Sequence, residues 1–176
     1  KKTFEFNYLI VIDSLTEKDQ QTGKMLYDDL IRYASYKISY LKTDYKSINS
    51  RNQLLRELQS IKNLVSTSDI LPFIHIEMHG SREGLVANSG EIISWQSFTE
   101  KMREINIITR NNIFISFATC YSAYIAGSIL PSQPSPFFGF IGSWNEVPQG
   151  DILANFQIFQ QRCQTFQVLS VSGLPV

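Results

Sequence analysis

The chain has 176 residues, 43% of them hydrophobic and 12% aromatic, enough apolar material for one domain with a substantial core. Sixteen basic residues balance sixteen acidic ones, so net charge gives no reason to expect nucleic acid or an acidic membrane as partner. No apolar run approaches the roughly 20 residues that span a bilayer, and the N-terminal "KKTFEFNYLIVIDS" is too short in its apolar part, and too β-like, for a secretory signal.

Taken in chain order, "FEFNYLIVID" is a nearly continuous apolar run ending at Asp13 and Ser14, as a strand buried on both faces reads. Met25, Leu26, Leu30, Ile31 and Ala34 then recur at helical spacing, and "YKISYL" reads as a second strand. Ser50 with Gln53 makes a capping-box pattern, after which Leu54, Leu55, Leu58, Ile61, Leu64 and Val65 trace one face of a helix. The third strand is "LPFIHIEMH", and the glycine-flanked "GLVANSGEII" predicts a small hairpin outside the main sheet.

"SWQSFTEKMREIN" reads as a helix, "NNIFISFAT" as strand four and "YSAYIAGSIL" as another helix. "PSQPSP" (131–136) is a loop, because its prolines fix φ and lack donors. "FFGFIGS" is strand five, and "DILANFQIFQQRC" a helix with Phe156, Phe159 and Cys163 on one face; the final "FQVLSVSGLPV" is not assigned an element. Strands alternating with helices predict an α/β fold with a mostly parallel central sheet and helices on both faces. No repeat or linker divides the chain, so one domain spans 1–176. The missing initiator Met and the ending "SVSGLPV" are what a fragment or processed piece of a longer protein would show.

Two cysteines, Cys120 and Cys163, are too few for a disulfide framework, and neither has a CxxC partner for zinc. They read as thiols of a reducing, cytoplasmic compartment. His79 and Cys120 both stand where a parallel strand ends, on the edge where open α/β sheets bind ligands. A thiol nucleophile acts as the thiolate and needs a base such as imidazole beside it. Gly80, directly after the histidine, lets its N–H approach a developing oxyanion. The Cys120 N–H and the positive end of a helix starting near Tyr121 would add to that stabilisation. His75, two residues from Glu77 on the same strand face, reads as a packed core histidine, and Cys163 as core. Taken alone, a cysteine at a strand end is more often a buried small hydrophobe; the conjunction of strand ends, glycine and topology is what singles out the pair.

At these residues the sequence resembles the caspase-like cysteine peptidases, a clan that includes caspases, metacaspases, separases, gingipains and bacterial CHAT domains. In that clan one apolar strand ends in His-Gly, here "FIHIEMHG", and the next main strand ends in a catalytic cysteine, here "IFISFATC". "EGLVANSGEIISWQSFTEKMREIN" is similar to the CHAT-type hairpin and helix, and "YLIVIDSLTEKDQQTGKMLYDDL" to the clan's first strand, loop and long helix. The resemblance implies a caspase-like three-layer sandwich, with His79 as general base and acid, Cys120 as nucleophile and Gly80 in the oxyanion hole. It also implies a protein substrate, no metal or organic cofactor, and a regulatory domain or activating partner of the kind found in bacterial defence and cell-death systems.

The chain departs from caspases proper, which carry Gln-Ala-Cys-x-Gly where this chain has "FATCYSA". The loop "DSLTEKDQQTG" also lacks the arginine with which caspases read aspartate. Metacaspases read Lys or Arg with acidic residues. By that likeness either Glu146 or Asp13 lines the pocket for the residue before the cleaved bond (P1), or both are solvated loop carboxylates. Trp144 would supply an apolar wall of the pocket. Two rivals stand beside the peptidase. One is an inactive caspase-like interaction module. The other is an unrelated flavodoxin-like domain, for which the loop after strand one is a poor phosphate cradle.

Overall fold

The computed structural model describes residues 4–148; the helix expected around Phe156, Phe159 and Cys163, and the final "FQVLSVSGLPV", lie outside them. Strand β1 (Tyr8–Ser14) is buried along its whole length except for half-buried Leu9, as its unbroken apolar run requires. It pairs in parallel with β2 (Lys42–Ser47) on one side and β3 (Pro72–Gly80) on the other. On its far side β3 pairs in parallel with β6 (Phe114–Ala118), and β6 with β7 (Gly139–Ile141). The parallel order is therefore β2-β1-β3-β6-β7. The expected hairpin is present as β4 (Gly84–Val86) and β5 (Ile92–Ser94), attached antiparallel to the last two residues of β3.

Alternation along the strands sorts side chains onto two faces. Ile10 and Ile12 of β1, Ile74, Ile76 and Met78 of β3, and Ile115 and Phe117 of β6 join one large core cluster with two helices. These are α3 (Arg51–Thr67), which contributes Leu54, Leu58, Ile61 and Val65, and α4 (Trp95–Ile108), which contributes Phe98, Met102 and Ile105. The Ser50 cap is formed, its hydroxyl accepting from the Gln53 N–H, while Gln53 Oε1 reaches back to accept from the N–H of Asn49, one residue before the cap. Ser94 caps α4 in the same way through the Ser97 N–H.

The opposite face is smaller and more polar. Val11 packs there with Leu26, Ile31, Tyr27 and Tyr45 beneath a helical segment. That segment runs from α1 (Thr22–Leu26) through a π-helical turn (Tyr27–Ile31) into α2 (Arg32–Lys37). The sheet is thus covered by helices on both sides, the α/β sandwich expected.

Two expectations need correction. Residues 36–41 ("YKISYL") are not the second strand: the helical segment continues to Lys37 and β2 begins at Lys42. The true strand, "KTDYKS", is a polar edge strand among the described residues, and an edge strand with one solvated side needs no apolar run. "YSAYIAGSIL" forms a seven-residue 3₁₀ helix (Ser122–Ser128), not an α-helix. It is entered through Tyr121 at φ 57°, a left-handed conformation that breaks the ladder before it can extend. A helix therefore does start just behind Cys120, as a short 3₁₀ turn in place of the α-helix expected. Among the described residues, no helix is long and apolar enough to cross a membrane.

Phe98 is fully buried between α4 and β6, its ring edge-on to Phe117 at 5.9 Å. Phe98→Ala is expected to lower the unfolding free energy by about 3–5 kcal/mol, read as a fall in urea midpoint at unchanged slope.

Candidate active site

The register of the two central strands decides where the reactive side chains emerge. The last pair between β3 and β6 is Glu77 opposite Ala118. His79 lies two residues further on within β3, on the face of Glu77, and Cys120 lies two residues beyond the end of β6, in the turn that follows it. Both line one cavity of about 510 Å³, together with Thr22, Glu77, Gly80 and Glu146. Gly80 lies so close to the segment leaving β6 that a Cβ there would sit 2.3 Å from the Cys120 carbonyl oxygen and 2.4 Å from Thr119 Cγ2. Only a residue without a side chain permits this approach.

Cys120 is half-buried and its Sγ accepts a hydrogen bond from the Val147 N–H at 3.3 Å. The segment after β7 is laced to the residues following the thiol. The Tyr121 N–H donates to the Asn145 carbonyl (3.1 Å) and the Ala123 N–H to the Ser143 carbonyl (2.9 Å). The buried Ser122 hydroxyl accepts from the Ser143 N–H (3.0 Å) and donates to the Thr119 carbonyl (2.8 Å). Left-handed Tyr121 points its hydroxyl at Glu146 Oε1, 3.1 Å away.

His79 is half exposed, and its Nε2 lies 3.1 Å from Asp19 Oδ2, a carboxylate in the loop between β1 and α1. His75 is buried in mid-strand with its Nε2 3.4 Å from Glu77 Oε2, the packed arrangement expected of it.

Beneath the cavity lies an acidic floor. Asp13 and Glu77 are register partners on adjacent strands and each is 1% exposed. The Thr22 hydroxyl donates to Glu77 Oε1. Asp13 Oδ1 accepts from the Leu15 N–H at 3.0 Å, whereas its Oδ2 has no hydrogen-bond partner. Burial pushes the Asp13 carboxyl above its ordinary value, the Leu15 N–H works against that, and the neighbouring Glu77 charge adds to it. Tyr45, beside Asp13, is pushed up by its own burial and by the Asp13 charge. Gly23 makes the cluster possible, since a Cβ there would lie 2.7 Å from Asp13 Oδ2 and 3.0 Å from Glu77 Oε2.

Of the residues singled out in the sequence, the cavity thus brings together His79, Gly80, Cys120 and Glu146. Asp13 lies behind it, out of contact with its space. Trp144 is 60% exposed and stacks edge-on against Tyr124 at 5.4 Å, outside the cavity lining. Sequence reasoning did not single out Thr22 and Asp19, and it named Glu77 only as a neighbour of His75; stepping back two residues from His79 along the strand would have placed Glu77 on the cavity's face. Among the described residues, no group of three or more His, Cys, Asp or Glu side chains is arranged to hold a metal ion.

No family model matches the chain, and no curated protein matches it in sequence. Its three-dimensional arrangement does match solved structures. One of them is the Drosophila initiator caspase Dronc, with a TM-score of 0.61 at 13% identity, over 92% of this chain. The chain spans 66% of that caspase chain's length. The fold is caspase-like.

Two outcomes follow from the geometry. Gly80→Ala is expected to cost about 1–3 kcal/mol of stability by forcing β3 from Cys120, and to slow alkylation of Cys120 followed by peptide mapping. For Asp13, the folded state holds the carboxyl proton more tightly than the unfolded chain, whose ordinary value is 3.8. Ionisation therefore opposes folding, by an amount that is absent below 3.8 and grows as pH rises through the raised folded value. Asp13→Asn should be more stable than wild type at pH 7, with the gain shrinking toward pH 4 in paired denaturation curves.

Proposed function

We propose that this caspase-fold domain is a cysteine endopeptidase with Cys120 as nucleophile and His79 as its proton shuttle. The observation that carries the reading is that both side chains, at the ends of adjacent parallel strands, line one cavity. In the reaction, the Cys120 thiol gives its proton to His79 and the thiolate adds to the substrate carbonyl carbon. The Gly80 N–H stabilises the oxyanion. His79 returns the proton to the departing amine, leaving a thioester. Water then adds, its proton passing to His79, and collapse releases the acid and the thiol.

The cavity's charge supports a preference for a basic P1 residue. Its lining includes the carboxylates of Glu77 and Glu146 but no Lys or Arg, and buried Asp13 lies behind Glu77. A cation entering there would meet two carboxylates and no competing cationic side chain in the lining. The likeness of the histidine-to-cysteine segment to CHAT domains supports a protease under the control of a further domain or partner protein, in a bacterial defence or self-killing system.

Cleavage of a peptide library should be lost in Cys120→Ala and His79→Ala, and a thiol-reactive peptide electrophile should label wild type but not Cys120→Ala. Equal labelling of the two would identify an inactive binding module instead. Glu146→Ala should reduce cleavage after Lys and Arg by at least about tenfold relative to other residues, the scale of a lost charge-assisted contact; an unchanged profile would remove Glu146 from the pocket.

A further inference from the structure

The loop between β1 and α1 holds a carboxylate aimed at the catalytic edge. We propose that Asp19 is a positioning residue for His79, so that the site works as a Cys120–His79–Asp19 triad. This rests on the peptidase reading above and adds to it a third residue, with a defined role for each nitrogen of the ring.

The geometry is that of a prearranged acceptor. Asp19 Oδ2 accepts from the Thr16 N–H (2.8 Å) and the Thr16 hydroxyl (2.7 Å) before His79 is counted. The Asp19 N–H in turn donates to the Thr16 carbonyl at 3.0 Å. Gln21 ties the loop from its other end, its amide donating to the carbonyls of Thr16 (2.7 Å) and Asp19 (3.2 Å). The loop is thus a closed set of local hydrogen bonds that presents one carboxylate oxygen to the imidazole. Burial would raise the Asp19 carboxyl, but the Thr16 hydroxyl, the Thr16 N–H and His79 together hold it below its ordinary value, so it stays an ionised acceptor.

An ionised Asp19 fixes the ring. Nε2 carries the hydrogen and donates it to Asp19, leaving Nδ1 bare. Nδ1 is the nitrogen left to exchange a proton with Cys120 and the leaving amine. The carboxylate also stabilises the imidazolium formed when the thiol gives up its proton. The other titratable groups bordering the cavity are Glu77, Cys120, Tyr121 and Glu146. Glu77 is engaged by Thr22 and His75, and Glu146 by Tyr121. Among the described residues, Asp19 is the carboxylate in contact with His79.

The test combines kinetics with a spectroscopic readout that needs no catalysis. Asp19→Asn keeps an acceptor for Thr16, and therefore the loop, while removing the charge; Asp19→Ala removes both. Against the best library peptide, kcat should fall by at least about tenfold in Asp19→Asn and further in Asp19→Ala, with KM within about twofold. Nitrogen-15 spectra should show a hydrogen-bonded Nε2–H on His79 in wild type, with that ring proton shifted and exchange-broadened in Asp19→Ala. The chain has only two histidines, so a His75→Gln control assigns the signal. Wild-type kcat in both variants, a defect confined to KM, or identical His79 ring signals in wild type and Asp19→Ala would each overturn the triad. A wild type that cleaves no peptide, but whose ring signal depends on Asp19, overturns the peptidase reading and upholds the pairing.

Discussion

The in-register parallel pairing of β3 between β1 and β6 is the constraint from which the rest of the site follows. It places Asp13 beside Glu77, and ends the two strands side by side so that His79 and Cys120 open onto one cavity. Because side chains alternate, a slip of one residue in either strand would turn one member of the pair into the opposite core. That core resists the slip: Ile74, Ile76 and Met78 of β3 are each at most 2% exposed. The apolar face thus sets the register, and the register sets the chemistry.

The polar face carries the opposite burden. Two carboxylates on neighbouring strands, both out of water, repel each other and lose hydration. The protein relieves this partly, through the Thr22 hydroxyl, the ring of His75 and the Leu15 N–H. Asp13 Oδ2 is left without a hydrogen bond.

Much of this was legible in the sequence because the signals were local and periodic. The unbroken apolar run of β1, the Ser50–Gln53 cap of α3 and the histidine and cysteine strand ends all carry their meaning within a few residues. What was missed depended on tertiary context. β2 is polar because it is an edge strand, and the β-like run "YKISYL" before it was taken up at its start by a helix's last turn. The 3₁₀ helix after Cys120 has good helix-forming spacing, but the left-handed Tyr121 and its lacing to residues 143–145 override that preference. Asp19 stands in a run of polar residues with nothing in its spacing to separate it from Glu17. Only the folded loop shows that Thr16 turns its carboxylate toward His79.

The hydrogen bond from the Val147 N–H to Cys120 Sγ has a consequence for how the protein is made. A ribosome delivers the chain from its N-terminus, so the strands leading to His79 and Cys120 emerge before the segment that seats the thiol. Until residues 143–147 arrive, Tyr121 and Ser122 lack the partners that hold the turn after the cysteine. The seat of the thiol is thus completed only after both side chains have emerged, and a nascent chain that already contains His79 and Cys120 does not yet contain the arranged cavity.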